Sequence, residues 1–161
     1  MINIICSFFF RRFDLTTEKR YTLNDKTIQF VKDLNDVVLV KVYLEGDFNP
    51  AFTRLKNETR EILDEFRAYA KKDFNYEFIN IYDKKFDVTR VNIERELFQK
   101  GMIPVDLTTK TEKGDANQKV FPGAIVSYKG RETVWQIFRQ QVGVSPEVCV
   151  NNSVQSLEYE L

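Results

Sequence analysis

Histidine is absent from the 161-residue chain, and glycine, proline and cysteine are all scarce. Without histidine, the Ser-His-Asp and Cys-His mechanisms and every histidine-containing metal site are excluded. The six glycines form neither a G-x-G-x-x-G turn nor a G-x-x-x-x-G-K-[ST] loop, so we expect no nucleotide site of either kind. We therefore expect a protein that is not an enzyme and that needs no cofactor.

The chain also lacks an excess of charge of either sign, with 24 Lys and Arg against 24 Asp and Glu. A nucleic-acid-binding domain would show a basic excess or a basic stripe, so nucleic acid is not an expected partner. Apolar residues make up 43% of the chain and charged residues 30%, which is enough to bury a core and remain soluble. The length corresponds to about one domain.

Cys6 and Cys149 are the only two cysteines, and their separation excludes the C-x-x-C spacing of a redox or zinc pair. A single disulfide and two free thiols both remain open, and we favour the free thiols. The acidic residues Asp106, Glu112 and Asp115 miss the D-x-[DN]-x-[DN]-G pattern of a calcium loop, so we expect no metal site.

The N-terminus is unusual because residues 1–10 hold eight apolar side chains and are followed by Arg11 and Arg12. Ten residues are about half of what a membrane-spanning helix requires. A signal peptide is excluded because its basic residues would precede the apolar run. Either a buried first strand or the end of a membrane anchor explains this segment. We expect residues 1–23 to form a membrane-proximal apolar segment and a first strand.

Periodicity predicts alternating helices and strands in the first half of the chain. Residues 37–44 are apolar and β-branched, as in a central strand, and residues 76–82 predict a second strand. A rhythm of three and four residues predicts a helix over 50–71. Asn24 is a suitable N-cap for an earlier helix, whose inward face would carry Ile28, Val31 and Leu34.

The second half begins with a helix that we expect to start at Asp87 and stop at Gly101, with Val88, Val91 and Leu97 inward. A short strand near 103–109 and a polar loop over 109–119 follow.

Two further strands are predicted over 120–128 and 132–138, with Lys129-Gly130 as a two-residue hairpin turn. Ser145, Pro146 and Glu147 have the pattern that opens a helix. We expect residues 24–144 to form one α/β domain and residues 145–161 to start a helix leading into a following region.

This order predicts an α/β fold: a thioredoxin-like β-α-β-α-β-β-α sandwich with one extra strand, in which the first half of a mixed sheet is parallel and the second antiparallel. Thioredoxin-like enzymes carry a cysteine pair after the first strand, but residues 46–50 contain no thiol. Thiol–disulfide chemistry is therefore excluded there. Phe121-Pro122 occupies the place of the cis proline of such folds, and we expect a trans bond.

Candidate interaction surfaces are the segment around residues 14–21, the turn at 46–50 and the loop at 109–119. Arg20 and Tyr21 have a second interpretation, in which they hold the N-terminal segment onto the domain. Phe48, Tyr128 and Trp135 lie near loops or on an outer strand, and they are candidates for a sugar- or peptide-binding platform. The complete set of candidate interaction residues is Asp14, Arg20, Tyr21, Asp47, Phe48, Asn49, Lys113, Asp115, Tyr128 and Trp135.

The segment from Arg12 to Leu23, RFDLTTEKRYTL, resembles the R-x-D-L-T-x-x-K-x-Y-T-L opening of the GldG family. That family is the auxiliary, substrate-binding-like component of the gliding-motility ABC transporter of Bacteroidetes-type bacteria. Later segments resemble it in the same order: VKVYLEGDF at 40–48, FPGA at 121–124, VSYKG at 126–130, QVGVSPE at 141–147, and residues 151–153 and 157–161.

The resemblance implies a membrane-anchored protein of the cytoplasmic membrane whose soluble part lies on the periplasmic side. It implies a permease subunit and a separate ATPase as partners, and it implies that this chain is the first part of a larger extracytoplasmic region. The expected function is a non-catalytic interaction or ligand-binding domain of that transporter complex. The alternative is a small-molecule or glycan receptor domain that feeds a transporter.

Overall fold

The structure is a computed structural model that describes residues 23–71, 73–111 and 113–160. The helices of this part of the chain are α1 (Asp25–Asp33), α2 (Pro50–Tyr69), α3 (Arg90–Gln99) and α4 (Pro146–Glu160), with a 3-10 turn at Lys84–Phe86. The strands are β1 (Val38–Val42), β2 (Phe74–Phe78), β3 (Val105–Thr111), β4 (Gly114–Val120), β5 (Gly123–Tyr128) and β6 (Arg131–Gln136).

A four-stranded mixed sheet with the order β2-β1-β5-β6 forms the centre of the fold. β1 runs parallel to β2 and antiparallel to β5, and β5 turns into β6 through Lys129 and Gly130. Both turn residues have positive φ, as a two-residue hairpin requires. The α/β class and the thioredoxin-like order of parallel then antiparallel strands are confirmed.

The two faces of the sheet bury two separate apolar clusters. Val38, Val40 and Val42 alternate along β1 and pack against α1, α2 and α4 in the larger cluster. The opposite face holds a smaller cluster under α3, made of Ile81, Leu97, Met102, Phe121 and Ile125. Covering both faces explains why four of the five β1 residues are apolar, with Lys41 as the exception.

Residues 109–119 are not a loop, and this prediction was wrong. β3 and β4 pair in antiparallel register from Val105 with Val120 to Thr111 with Gly114, as a separate two-stranded sheet. Because the backbone supplies the hydrogen bonds of the ladder, a polar sequence can form it without an apolar face. Val105, Leu107 and Val120 at the base join the larger apolar cluster and hold this hairpin arm (105–120) on the domain.

The predicted strand over 120–128 is divided at Pro122, which has no N–H for a ladder. The Pro122 carbonyl instead accepts hydrogen bonds from the N–H groups of Ile137 and Phe138, at 3.1 Å each. The Phe121–Pro122 bond is trans, as expected.

The second strand and the helix after it also differ from the prediction. β2 spans Phe74–Phe78 instead of 76–82, and α3 begins at Arg90. Val88 and Val91 are 93% and 61% exposed, so the predicted inward face was wrong at both positions, whereas Leu97 is buried as expected. Asp83 caps the 3-10 turn at Lys84–Phe86, which occupies residues before the helix, and α3 begins only at Arg90.

α4 packs along α2 and completes the larger cluster with Cys149, Val150, Val154 and Leu157. The helix begins at Pro146, and the Val148 N–H donates to Ser145 Oγ at 3.4 Å, as expected for this cap. Helix α4 therefore shares one core with residues 24–144. No helix within the described ranges is long and apolar enough to cross a membrane.

Candidate functional site

The N-terminal candidates lie outside the described residues. This applies to Asp14, Arg20 and Tyr21, to the apolar segment 1–10, and to Cys6 with its possible disulfide. The thiol of Cys149 is free and buried beneath Gln141, whose N–H lies 3.5 Å from its sulfur.

The turn between β1 and α2 places Asp47, Phe48 and Asn49 next to one another. Asp47 is exposed, and Phe48 is half-buried with its ring 6.1 Å from that of Phe52. Asn49 is the N-cap of α2, and its Oδ1 accepts the Phe52 N–H at 3.0 Å. The Asn49-Pro50 pair is the same signal that identifies the start of α4, so sequence could have shown this structural role.

Glu45 organises the approach to this turn. Its carboxylate accepts a hydrogen bond from Lys56 Nζ at 2.8 Å and lies 3.6 Å from Arg60 Nη2, so two cations of α2 face the end of β1. The Arg60 guanidinium also lies 4.7 Å from the centre of the Phe78 ring on β2. These contacts hold the end of β1 and the turn against α2.

Lys113 and Asp115 lie at the tip of the hairpin arm and are both exposed. Thr108 and Asn117 form a side-chain hydrogen bond of 3.0 Å across the two strands below the tip. An arm with an apolar base and a polar tip is a shape suited to contact another protein, since its own core does not depend on the tip residues.

Tyr128 and Trp135 lie on the neighbouring strands β5 and β6, but Trp135 is not a surface residue. Its side chain is only 3% exposed because it points into the helical side of the sheet, where its β5 partner is the small residue Ala124. A buried indole cannot serve as a binding platform, so this prediction was wrong. The Trp135 Nε1–H is buried and has no hydrogen-bond partner among the described residues.

An apolar cavity of about 310 Å³ lies between α1 and the β6 side of the sheet. Phe30 and Val31 of α1 and Leu34 directly after it line one side, and Val126, Tyr128, Thr133 and Trp135 line part of the sheet side. The Tyr128 hydroxyl donates to Asn35 Oδ1 at 3.0 Å, which ties the end of α1 to β5. Sequence reasoning missed this cavity because its walls come from six separate elements, α1, α2, β1, β2, β5 and β6.

The candidate residues therefore form groups at opposite ends of the sheet. Tyr128 pairs with Val38 at the start of β1, whereas Asp47 to Asn49 follow the other end of β1. The hairpin arm returns to the sheet at Gly123, whose carbonyl accepts the Tyr43 N–H at the same end as the turn. The turn and the base of the arm share one end of the domain, and the cavity opens near the other.

Among the described titratable groups, Tyr82 and Lys100 have the largest pKa shifts. Burial raises the pKa of Tyr82 to about 12, and its hydroxyl has no hydrogen-bond partner in the described part of the chain. Hydrogen bonds to Glu132 and Glu96 raise the pKa of Lys100. No three of the described Cys, Asp and Glu residues come together in a way that could hold a metal ion.

The sequence model of DUF7088, a domain of unknown function, matches residues 17–127, well over half of the chain. The chain belongs to the DUF7088 family. The match covers α1 through most of β5, including the hairpin arm, and leaves β6 and α4 outside. Comparison with curated proteins and with solved structures found no match.

Proposed function

We propose that this DUF7088 domain is a non-catalytic interaction domain of an ABC transporter complex that supports gliding motility. In this proposal the domain lies on the periplasmic side of the cytoplasmic membrane and works with a permease subunit and a separate ATPase. The observation that carries the proposal is the collinear resemblance to the GldG family, from Arg12–Leu23 to the final helix.

The arrangement of the described residues supports an interaction role over an enzymatic one. The place where thioredoxin-like enzymes hold their cysteines carries Asn49, whose side chain caps α2, and a Glu45 carboxylate that is paired with Lys56. These polar groups stabilise the scaffold and are not directed at a reacting group.

The hairpin arm is the surface that we assign to the partner. Its base is anchored by Leu107 and Val120 in the core, while Lys113 and Asp115 are exposed. Because the base of the arm is already anchored in the core, binding a partner at the tip needs to order only a few side chains. The entropic cost of association is therefore lower than for a free loop.

Photo-crosslinking in native membranes tests this role. A photoreactive residue replaces Lys113 or Asp115 in the full-length protein, and Lys129, exposed at the opposite end of the sheet, is the matched control position. We expect the hairpin positions to capture the permease subunit and Lys129 not to capture it. Equal capture from Lys129, or no capture from the arm, would contradict the assigned surface.

A shortened arm provides a functional test. Replacing residues 110–115 by Asn-Gly would close the hairpin after the Thr109–Ala116 pair, which like the native Thr111–Gly114 pair is in phase for a two-residue turn, and would keep the buried base. We expect a folded domain with impaired complex assembly and impaired gliding. Normal assembly and gliding with the shortened arm would exclude the arm, and normal gliding after deletion of the whole domain would exclude the proposed function.

The alternative, a small-molecule or glycan receptor domain, is favoured by one observation. A shallow groove beside the β1–α2 turn combines the Phe48 ring with hydrogen-bonding side chains of α2, namely Thr53, Arg54, Asn57 and Glu61. An aromatic ring beside polar groups suits a sugar. A ligand that binds the native state raises the unfolding temperature, so a thermal-shift screen with sugars, peptides and nucleotides tests this role. A shift lost in Phe48→Ala would support it.

A further inference from the structure

The apolar cavity of about 310 Å³ is bounded by all four strands of the central sheet and by α1 and α2. Of the residues that line it, only Tyr128, Arg131 and Thr133 are not apolar. An apolar cavity of about 150 Å³ in another protein holds one benzene molecule. This cavity therefore has room for a ligand roughly twice as large, and its walls favour one with an apolar body.

Arg131 gives this cavity a single cationic side. It is the only charged residue among the described residues that line the cavity, and it is exposed at the start of β6. Within the described ranges Arg131 forms no ion pair with a carboxylate. Its guanidinium holds its N–H donors in a planar fork that matches the two oxygens of a carboxylate. The charge of the cavity therefore favours an anionic ligand.

The other polar groups of the cavity point to the same ligand chemistry. The Tyr128 hydroxyl already donates to Asn35 Oδ1 at 3.0 Å. The indole N–H of Trp135 is buried without a partner among the described residues, and it can only donate. No carboxylate or amide side chain of the described residues lines the cavity. Apart from the Thr133 hydroxyl, the available side-chain groups are donors, so a ligand must bring acceptors.

The position of these residues along β6 indicates an elongated ligand. Arg131, Thr133 and Trp135 alternate with their neighbours, so they share the helical side of the sheet. Four residue steps along a strand cover about 14 Å. Arg131 is exposed at one end of this distance, and Trp135 is 3% exposed at the other. A chain with a charged head and an apolar tail fits this change from solvent to core.

We propose that this cavity binds a medium-chain monocarboxylate, with the carboxylate on Arg131 and the alkyl chain along Thr133 towards Trp135. Burial of the chain supplies most of the binding free energy, and the charge-assisted hydrogen bonds to the guanidinium set the orientation. The cavity is separate from the groove at Phe48 and from the hairpin arm. This inference therefore does not depend on the proposed function.

Titration of the intact chain with sodium decanoate tests the site. Trp135 is the only tryptophan, so tryptophan fluorescence reports on the cavity directly. Below the concentration at which decanoate forms micelles, we expect a saturable change in this fluorescence with one ligand per chain. Methyl decanoate keeps the alkyl chain and lacks the charge, so it should bind at least about ten times more weakly.

Two charge variants test the contact with the carboxylate. Arg131→Gln should weaken decanoate binding at least about tenfold and leave methyl decanoate binding unchanged. Lys129→Gln is the matched control, because it removes a cation from the same β5–β6 turn at a residue that does not line the cavity. Its effect on decanoate affinity should be less than about twofold, since solvent screens the exposed charge.

Two variants of Thr133 test the path of the alkyl chain. Thr133 is exposed and lines the cavity, so Thr133→Phe places a larger ring there and should weaken decanoate binding at least about tenfold. Thr133→Val keeps the size of the side chain and should leave the affinity within about twofold. Unfolding temperatures without ligand confirm that both variants are folded.

Three results would overturn the proposal. One is the absence of saturable binding to the intact chain, as expected if another part of the chain or a second copy fills the cavity. Another is an equal affinity for decanoate and its methyl ester, or an equal loss in Arg131→Gln and Lys129→Gln. The third is an unchanged affinity in folded Thr133→Phe, because this would place the ligand outside the cavity.

Discussion

Lys100 Nζ lies 2.8 Å from Glu132 Oε2 and joins the residue after α3 to the edge strand β6. The same ammonium lies 2.8 Å from Glu96 Oε1, so one cation faces two carboxylates. The hydrogen bond from Lys100 lowers the pKa of Glu132. This contact is partly exposed and connects two elements that are distant in sequence.

The first prediction concerns acid stability. A carboxylate with a lowered folded pKa stabilises the fold above the ordinary pKa of 4.5, and this contribution disappears as the pH falls through the folded pKa. Lys100→Gln should therefore lower the free energy of unfolding at neutral pH, with a difference that shrinks below pH 4.5. Urea unfolding at a series of pH values measures this.

Lys84→Gln is the matched control for that series, because it removes the same charge from an exposed site on the 3-10 turn. It should reproduce the wild-type pH dependence. Added salt should weaken the Lys100 effect, since partly exposed charges are screened. An identical acid profile for both variants would contradict the prediction.

The second prediction compares two phenylalanines. Phe52 is fully buried, with its ring 4.8 Å from that of Phe138, whereas Phe98 is 66% exposed. Phe52→Ala should cost about 3–5 kcal/mol, because it leaves a cavity in the core. Phe98→Ala should change stability by no more than about 0.5 kcal/mol. Denaturant midpoints decide the matter, and similar losses would contradict the described burial.

The third prediction separates a structural from a recognition role of Asn49. Asn49→Ala removes the helix cap of α2 and should cost about 1 kcal/mol, while Asn49→Ser should keep most of the stability. Asn57→Ala, at an exposed position inside the same helix, should cause no loss. Thermal unfolding measures all three. If Asn49→Ser is as unstable as Asn49→Ala, capping is not the role of this residue.

The fourth prediction contrasts two tyrosine hydroxyls. The Tyr128 hydroxyl bonds to Asn35, so Tyr128→Phe should cost about 0.5–1.5 kcal/mol. The buried Tyr82 hydroxyl has no partner among the described residues, so Tyr82→Phe should be neutral or stabilising. Matched urea titrations test the pair, and a clear loss in Tyr82→Phe would show that its hydroxyl is bonded.

Tyr82 also sets an expectation at high pH. Its pKa is raised from 10.0 to about 12, so the unfolded chain loses this proton first as the pH rises. The stability that comes from keeping Tyr82 neutral is complete below pH 10 and declines between pH 10 and about 12. Tyr82→Phe should show a smaller alkaline decline than the wild type, and an unchanged decline would contradict the assignment.

Local signals predicted much of the fold. Asn24 accepts the Lys26 N–H at the start of α1, Ser145 precedes α4, and Lys129-Gly130 makes the β5–β6 turn. These features depend on residues within a few positions of one another. The same reasoning was wrong at Val88 and Val91, since helical spacing does not say which of two apolar stripes meets the sheet.

For the candidate residues too, local sequence predicted the position in the chain, whereas burial depended on residues far apart in sequence. The exposed Lys113 and Asp115 were located correctly on the surface, although on a hairpin and not on a loop. Trp135 was placed on an outer strand, where it lies, but its burial depends on Ala124 opposite it on β5.

By itself, the sequence determined the order of the helices and of the central-sheet strands, several helix caps and the absence of histidine chemistry, because these depend on residue identity and short-range geometry. Only the tertiary structure decided that the polar residues 109–119 form a hairpin, that Trp135 is buried, and that an apolar cavity lies beside β6. Strand pairing and burial are set by residues far apart in the chain, whose contacts no local pattern contains.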